Sequence, residues 1–162
     1  MTAHLAWRLA FVVAAVLLVG GPSLKARGNA VTVRIDISGG RLAAPVAVTD
    51  EPLLKLSSVY AGTFLGPVIN AIDPSWDRYQ VTLVSEARTF APELALTGVR
   101  RPYLLLYAMN PQTGEGFIYL PARGEHGYRG NVNLIIRDGH DGRWHQAFPA
   151  WAELLNAHIP RR

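Results

Sequence analysis

Residues 103–120 read YLLLYAMNPQTGEGFIYL, and this stretch decides the fold. Residues 103–109 are nearly all apolar, which is typical of a central strand buried on both sides. The segment NPQTG that follows has the composition of a turn, and residues 117–120 predict the returning strand. Strand, short turn and strand in direct succession indicate antiparallel pairing, because parallel strands need a long crossover between them.

Shorter strands are predicted on the N-terminal side of this hairpin. Residues 31–37, VTVRIDI, alternate apolar and polar side chains, and residues 79–83 alternate in the same way. This period of two is typical of strands with one buried and one wet face. Residues 42–48 are a further extended piece, but Pro45 lies within it and cannot donate to a ladder, so we expect this piece to lie at a sheet edge or to be irregular. Residues 88–101 predict a long loop or one irregular strand.

Residues 131–147, NVNLIIRDGHDGRWHQA, predict a second hairpin. If the second Asp-Gly pair is a two-residue turn, Asp138 faces His145 across the hairpin. If DGHDG is a five-residue loop, Ile136 faces Trp144 instead. The second register buries the largest apolar side chain and is favoured for that reason. It points His145 to the opposite face from Trp144.

Two helices are predicted to cover the sheet. The first starts at residues 49–52 and ends at Gly66 and Pro67, and the second covers residues 148–158. The apolar residues at helical spacing are Leu53, Leu56, Val59, Tyr60 and Phe64 in the first and Trp151, Leu154, Leu155 and Ile159 in the second. The predicted fold class is therefore α+β, an antiparallel β-meander of five to seven strands packed by about two helices.

The first 30 residues have the order of a secretory signal peptide. Arg8 closes a short positive start, residues 9–21 are uncharged and apolar, and small residues lead to Ala30. The apolar run is shorter than the roughly 20 residues that a membrane-spanning helix needs. We therefore predict a signal peptide over residues 1–30 and a single extracytoplasmic domain over residues 31–162. The alternative is an uncleaved leader that anchors the protein in the inner membrane through residues 9–21.

Composition narrows the classes of partner and compartment. The net charge of the 162 residues is +4, but three of the 16 basic residues and none of the 12 acidic residues precede Val31. The remainder therefore carries a net charge of +1, which gives no support for a nucleic-acid partner. The absence of cysteine excludes disulfides and thiolate chemistry. An exported domain without disulfides is typical of bacteria, so we expect a periplasmic or secreted protein.

One loop has the composition of a small binding surface. The segment EHGYRGN combines an aromatic ring, a cation and an amide, in the residues His126, Tyr128, Arg129 and Asn131. The sequence holds no recognisable catalytic motif and indicates no cofactor. These observations favour a non-catalytic binding or accessory protein, with a protein, an envelope component or a small ligand as its partner. A membrane would be a partner only if the leader stays uncleaved.

A competing hypothesis is a small metal-dependent or hydrolytic enzyme. Its metal ligands would be Asp138, His140, Asp141 and His145, which lie within eight positions of one another. Their spacing is neither that of an EF-hand loop nor that of the HExxH motif. The ordinary structural interpretation is a turn, because aspartate and glycine are favoured in turns.

Overall fold

The computed structural model describes residues 30–88, 96–131 and 140–160. Within these residues the chain is α+β, with a seven-stranded antiparallel sheet and three helices, which confirms the predicted fold class at this level. The strands are β1 (Ala30–Gly39), β2 (Val46–Val48), β3 (Leu65–Ile69), β4 (Arg78–Arg88), β5 (Leu96–Met109), β6 (Gly116–Tyr119) and β7 (Trp144–Ala147). The helices are α1 (Glu51–Leu56), α2 (Tyr128–Asn131) and α3 (Pro149–Asn156).

The strand order is β2-β1-β4-β5-β6-β7-β3. Strands β4 to β7 follow one another as the predicted meander does, and β2 is an edge strand as Pro45 predicted. The departure is β3, which lies beside β7 at the far edge of the sheet. The chain from β2 to β3 includes α1, which packs on β1 and α3, so it crosses from one edge to the other over a single face. At the end of the crossing the Phe148 amide donates to the Phe64 carbonyl at 2.9 Å.

Helix α1 ends after six residues, so the predicted continuation to Gly66 is wrong. Side-chain hydroxyls from outside the helix donate to two carbonyls at its C-terminal end. The Thr63 hydroxyl donates to the Leu56 carbonyl, and the Thr32 hydroxyl donates to the Ser57 carbonyl. These bonds satisfy carbonyls at the end of α1 that have no helical N–H partner. Gly66 therefore lies not at a helix end but in edge strand β3, as does Pro67 next to it.

The hydrophobic core lies between the sheet and the helices α1 and α3. The fully buried Trp151 ring is at its centre, with ring centroids 5.6 Å from Phe64 and 5.7 Å from Tyr107. Its indole nitrogen donates to the Ser57 hydroxyl at 2.8 Å, which satisfies the polar atom of a buried ring. The strands contribute the inward side chains Ile35, Ile37, Tyr79, Val81, Leu83, Tyr103, Leu105, Tyr107 and Ile118.

Strand β7 corrects the predicted hairpin of residues 131–147. Both of its edges are paired, Trp144 with Tyr119 of β6 and with Ile69 of β3. Residues 132–137, the other half of the predicted hairpin, lie outside the described part of the chain. The faces are also reversed from the prediction. His145 is fully buried, whereas Trp144 is half-buried on the opposite face of the sheet.

Residues 1–29, which hold nearly all of the predicted signal peptide, lie outside the described residues. The leader and the alternative anchor at residues 9–21 therefore stay predictions. In the described ranges, no helix has both the length and the apolar character needed to cross a bilayer.

Candidate binding cleft on the open face of the sheet

The face of the sheet opposite α1 and α3 carries a row of side chains across four strands. The strand registers align Gln80 of β4 with Leu106 of β5, Leu106 with Tyr119 of β6, and Tyr119 with Trp144 of β7. Neighbouring strands lie about 4.8 Å apart, so the row spans roughly 14 Å. Leu106, Tyr119 and Trp144 are half-buried, and Gln80 is exposed. This row is the floor of a cleft, with Leu104 beside it on β5.

The two aromatic rings of the floor meet at an angle. The ring centroids of Tyr119 and Trp144 are 5.4 Å apart, and the ring planes are inclined by 45°. The guanidinium carbon of Arg78 lies 5.8 Å from the Trp144 ring centroid, near the roughly 6 Å limit of a cation–π contact. Arg78 and Trp144 belong to strands separated by two others, so their contact reaches across the floor. The rings therefore present an apolar surface with a cation at its rim.

The loop after β6 forms one wall of the cleft. Glu125 accepts hydrogen bonds from the Tyr119 hydroxyl, with its two oxygens at 3.1 and 3.0 Å, and from the Ala122 amide at 2.8 Å. Partial burial, the hydrogen bond to Glu125 and the charge of that carboxylate raise the pKa of the Tyr119 hydroxyl. His126 follows on the same loop, exposed at the rim.

Gly127 allows this wall to approach the floor. Its φ is +86°, a conformation that residues with a Cβ rarely adopt. A Cβ at this position would lie 2.5 Å from a terminal methyl carbon of Leu104, which is well inside contact distance. Glycine therefore suits this position in two ways: it adopts the backbone conformation readily, and it leaves the Leu104 side chain where it lies.

The resulting open-face cleft has a volume of about 440 Å³. Its polar rim consists of Arg78, Gln80, Glu125 and His126. A few polar groups around an apolar floor, in a cleft of about 300–1,000 Å³, is the usual composition of a small-molecule site. Of these four side chains, only Glu125 has a hydrogen-bonding or ionic partner among the residues the structure describes. Arg78, Gln80 and His126 are therefore available to a ligand.

The structure separates the four binding residues predicted from the loop EHGYRGN. His126 lies on the open-face cleft, Tyr128 is half-buried in α2, and Arg129 is exposed. Asn131 is buried and has a structural role at the edge of β5. Its side chain donates to the Leu104 carbonyl at 2.6 Å and accepts from the Leu104 amide at 2.8 Å. The Asn131 carboxamide thus replaces a neighbouring strand where β6 does not reach.

The proposed metal ligands are only partly described. Asp138 lies outside the described residues, and the described part of the chain contains no group of three or more potential metal ligands. The rings of His140 and His145 are neighbours, with centroids 5.1 Å apart. However, His145 Nδ1 lies 3.3 Å from the Gly66 carbonyl oxygen and Nε2 lies 3.1 Å from that of His140. Both nitrogens of this buried ring face backbone carbonyls, which suits a structural histidine, and the four-ligand site stays a prediction.

A second cleft of about 590 Å³ lies between the β5–β6 turn and α3. Its most buried polar side chain, Asn156, is already engaged within the protein. The Tyr107 hydroxyl donates to the Asn156 side-chain oxygen at 2.6 Å, and the Asn156 side-chain nitrogen donates to the Gly114 carbonyl at 2.8 Å. Burial raises the pKa of Tyr107, against the opposing effect of this hydrogen bond. These bonds fix the turn to the helix, so we regard this cleft as structural.

Sequence reasoning missed most of the open-face cleft. Phe117 and Tyr119 alternate with Ile118 and Leu120, and this period of two predicts that the two aromatic rings share the outer face. The meeting of Tyr119 with Trp144 required the order of the strands, which the sequence did not reveal. No family model, curated protein sequence or solved structure matches this chain.

Proposed function

We propose that this protein is a non-catalytic, extracytoplasmic binding protein that holds a small ligand in the open-face cleft. One observation carries the proposal: a half-buried aromatic floor, formed by Tyr119 and Trp144, lies beside polar side chains that have no polar partner among the described residues. Apolar surface left uncovered and rimmed by polar groups is typical of binding sites. A ligand would cover the rings and supply partners to Arg78, Gln80 and His126.

The proposed location rests on the leader. A charged start, an apolar centre and small residues up to Ala30 favour export, and the near-neutral remainder of the chain suits neither nucleic acid nor a strongly charged surface. In the periplasm or outside the cell, the ligand would be a small molecule or a component of the envelope. Mass spectrometry of the N-terminus of the exported protein tests this part, because an intact residue 1 would favour the membrane-anchored alternative.

A nuclear magnetic resonance titration tests the binding site. After the leader the chain has the tryptophans Trp76, Trp144 and Trp151, whose indole N–H groups give separate signals. The probes are methyl glucoside, phenylalaninamide, choline and inorganic phosphate, one from each of four chemical classes. We expect at least one probe to shift the Trp144 signal saturably and leave the buried Trp151 signal in place. If none of the probes moves the Trp144 signal, the proposal is wrong.

Metal analysis separates this proposal from the enzymatic alternative. The binding proposal predicts that the purified protein carries no stoichiometric metal. The matched variants are His140→Ala in the proposed ligand set and His126→Ala on the cleft rim. Stoichiometric metal that is lost in His140→Ala and kept in His126→Ala would contradict the binding proposal and support a metal-dependent enzyme.

A further inference from the structure

We infer that the ligand of the open-face cleft is a pyranose sugar, an inference that rests on the proposed function. A pyranose ring presents C–H groups on its faces and hydroxyls around its edge. The cleft has the complementary arrangement, with the rings of Tyr119 and Trp144 in the floor and hydrogen-bonding side chains around them. Tryptophan and tyrosine suit such contacts because each offers a flat apolar surface next to a polar atom.

The charge of the rim favours a neutral ligand. Arg78 and Glu125 contribute one charge of each sign, and their charges cancel. A quaternary ammonium ion on the Trp144 ring would be repelled by the guanidinium of Arg78, whose carbon lies 5.8 Å from the centroid of that ring. A multiply charged anion would meet the carboxylate of Glu125. Both ionic classes would therefore experience repulsion from one side of the rim.

The hydrogen-bonding groups of the rim favour hydroxyls over an aromatic side chain. Arg78 offers only donors, Glu125 offers acceptors, and Gln80 offers both. A hydroxyl both donates and accepts, so a sugar with several hydroxyls can satisfy all three side chains. A phenyl ring could cover the floor but would remove water from these groups without replacing its hydrogen bonds, which is costly.

The length of the floor favours more than one sugar ring. The row from Gln80 to Trp144 spans three strand spacings, roughly 14 Å, with Leu106 and Tyr119 between its ends. A single ring stacked on Trp144 and Tyr119 would leave the Gln80 end of the row uncovered. We therefore expect disaccharides to bind more tightly than the corresponding monosaccharides.

Titration of the exported protein with defined sugars tests the inference. The probes are glucose, galactose and N-acetylglucosamine, then maltose, cellobiose, lactose and the dimer and tetramer of N-acetylglucosamine. The readout is the affinity from calorimetry, together with the indole signals of Trp144 and Trp151. We expect at least one disaccharide to bind saturably and shift the Trp144 signal. A free sugar as the natural ligand predicts that the dimer binds as well as the tetramer, whereas an envelope glycan predicts tighter binding of the tetramer.

Matched variants connect the affinity to the cleft. Trp144→Ala is expected to weaken binding about tenfold, from the loss of one aromatic stacking surface. Trp76→Ala is the control, because Trp76 packs on Phe117 of β6 without lining the cleft, and it should leave the affinity within about twofold. Gln80→Ala, at an exposed position, provides a second cleft variant if Trp144→Ala does not fold.

The outcomes distinguish this inference from the proposed function. If phenylalaninamide shifts the Trp144 signal and no sugar does, the inference of a sugar ligand is wrong, but the proposal of a binding site in the cleft is supported. If neither a sugar nor any other probe shifts the Trp144 signal, the sugar inference and the proposed function are both wrong. Sugar binding that both Trp144→Ala and Gln80→Ala leave unchanged would assign the sugar to another surface and overturn the inference.

Discussion

The two faces of the sheet use the same kinds of side chain in opposite ways. On the covered face Tyr107 and Trp151 are fully buried, and their polar atoms are bonded to Asn156 and Ser57. On the open face Tyr119 and Trp144 are half-buried, and Tyr119 is bonded to an exposed carboxylate. Aromatic rings on the covered face therefore stabilise the fold. Those on the open face leave apolar surface that a ligand can cover.

The largest expected difference is between the two tryptophans. Trp151→Ala should lower the free energy of unfolding by about 3–5 kcal/mol, because it leaves a large cavity between α3 and the sheet. Trp144→Ala should lower it by about 1 kcal/mol or less, because that ring already contacts water. Urea unfolding of both variants measures the difference. Equal losses would mean that the open face is part of the core.

The next effect concerns Asn131, which we assign to the edge of β5 and not to the ligand. Asn131→Ala leaves the amide and carbonyl of Leu104 without a partner, so we expect a loss of about 2–4 kcal/mol. Arg129→Ala, two residues earlier and exposed, is the control and should change stability by about 0.5 kcal/mol or less. Urea unfolding again measures both. A stable Asn131→Ala protein that has lost ligand binding would reverse our assignment.

Alanine substitutions at two glycines distinguish the cost of backbone strain from the cost of crowding at the cleft wall. Gly127 and Gly124 both have positive φ, at +86° and +95°, but only at Gly127 would a Cβ meet another residue, Leu104. Gly124→Ala should cost about 1 kcal/mol from strain alone, and Gly127→Ala about 1 kcal/mol more. Only Gly127→Ala should also weaken ligand binding. Thermal unfolding and a ligand titration of both variants test this, and identical behaviour would show that the wall does not depend on the contact with Leu104.

The smallest expected effect is a pH dependence from Tyr107. Burial raises its pKa above the ordinary value of 10.0, so the folded protein keeps the phenol proton at a pH where the unfolded chain has lost it. The folded state then binds more protons, and the contribution of Tyr107 to stability is lost as the pH rises above about 10. Urea unfolding between pH 8 and 11 should show a fall in stability that is shallower in Tyr107→Phe. An unchanged slope would contradict the burial of this hydroxyl.

The covered face was largely predictable from the sequence, and the open face was not. Alternation placed Ile35, Ile37 and the inward residues of β4 correctly, because burial of one strand face leaves a direct periodic signal. The nearly all-apolar run of β5 predicted burial on both sides, which is wrong for the open face, where Leu104 and Leu106 are only half-buried. The end of α1 was not evident from local pattern, because the residue after the helix, Ser57, is bonded through its carbonyl to Thr32, which is distant in sequence.

The residues of β7 explain why the site was missed. The rule that the largest apolar side chain is buried placed Trp144 in the core and turned His145 away from it. In the structure His145 is buried, and backbone carbonyls of Gly66 and His140 lie next to its two nitrogens. Trp144 instead joins the row of the open face. Local pattern could not reveal this, because the row is assembled from strands that are distant in sequence.

The most direct test of the account is a nuclear Overhauser experiment on the protein with its tightest-binding disaccharide. We expect contacts between the C–H protons of the sugar and the ring protons of Trp144 and Tyr119. We expect none with Trp151, whose ring is buried on the covered face. Contacts with the β5–β6 turn and α3 in place of these rings would contradict the assignment of the open-face cleft as the binding site.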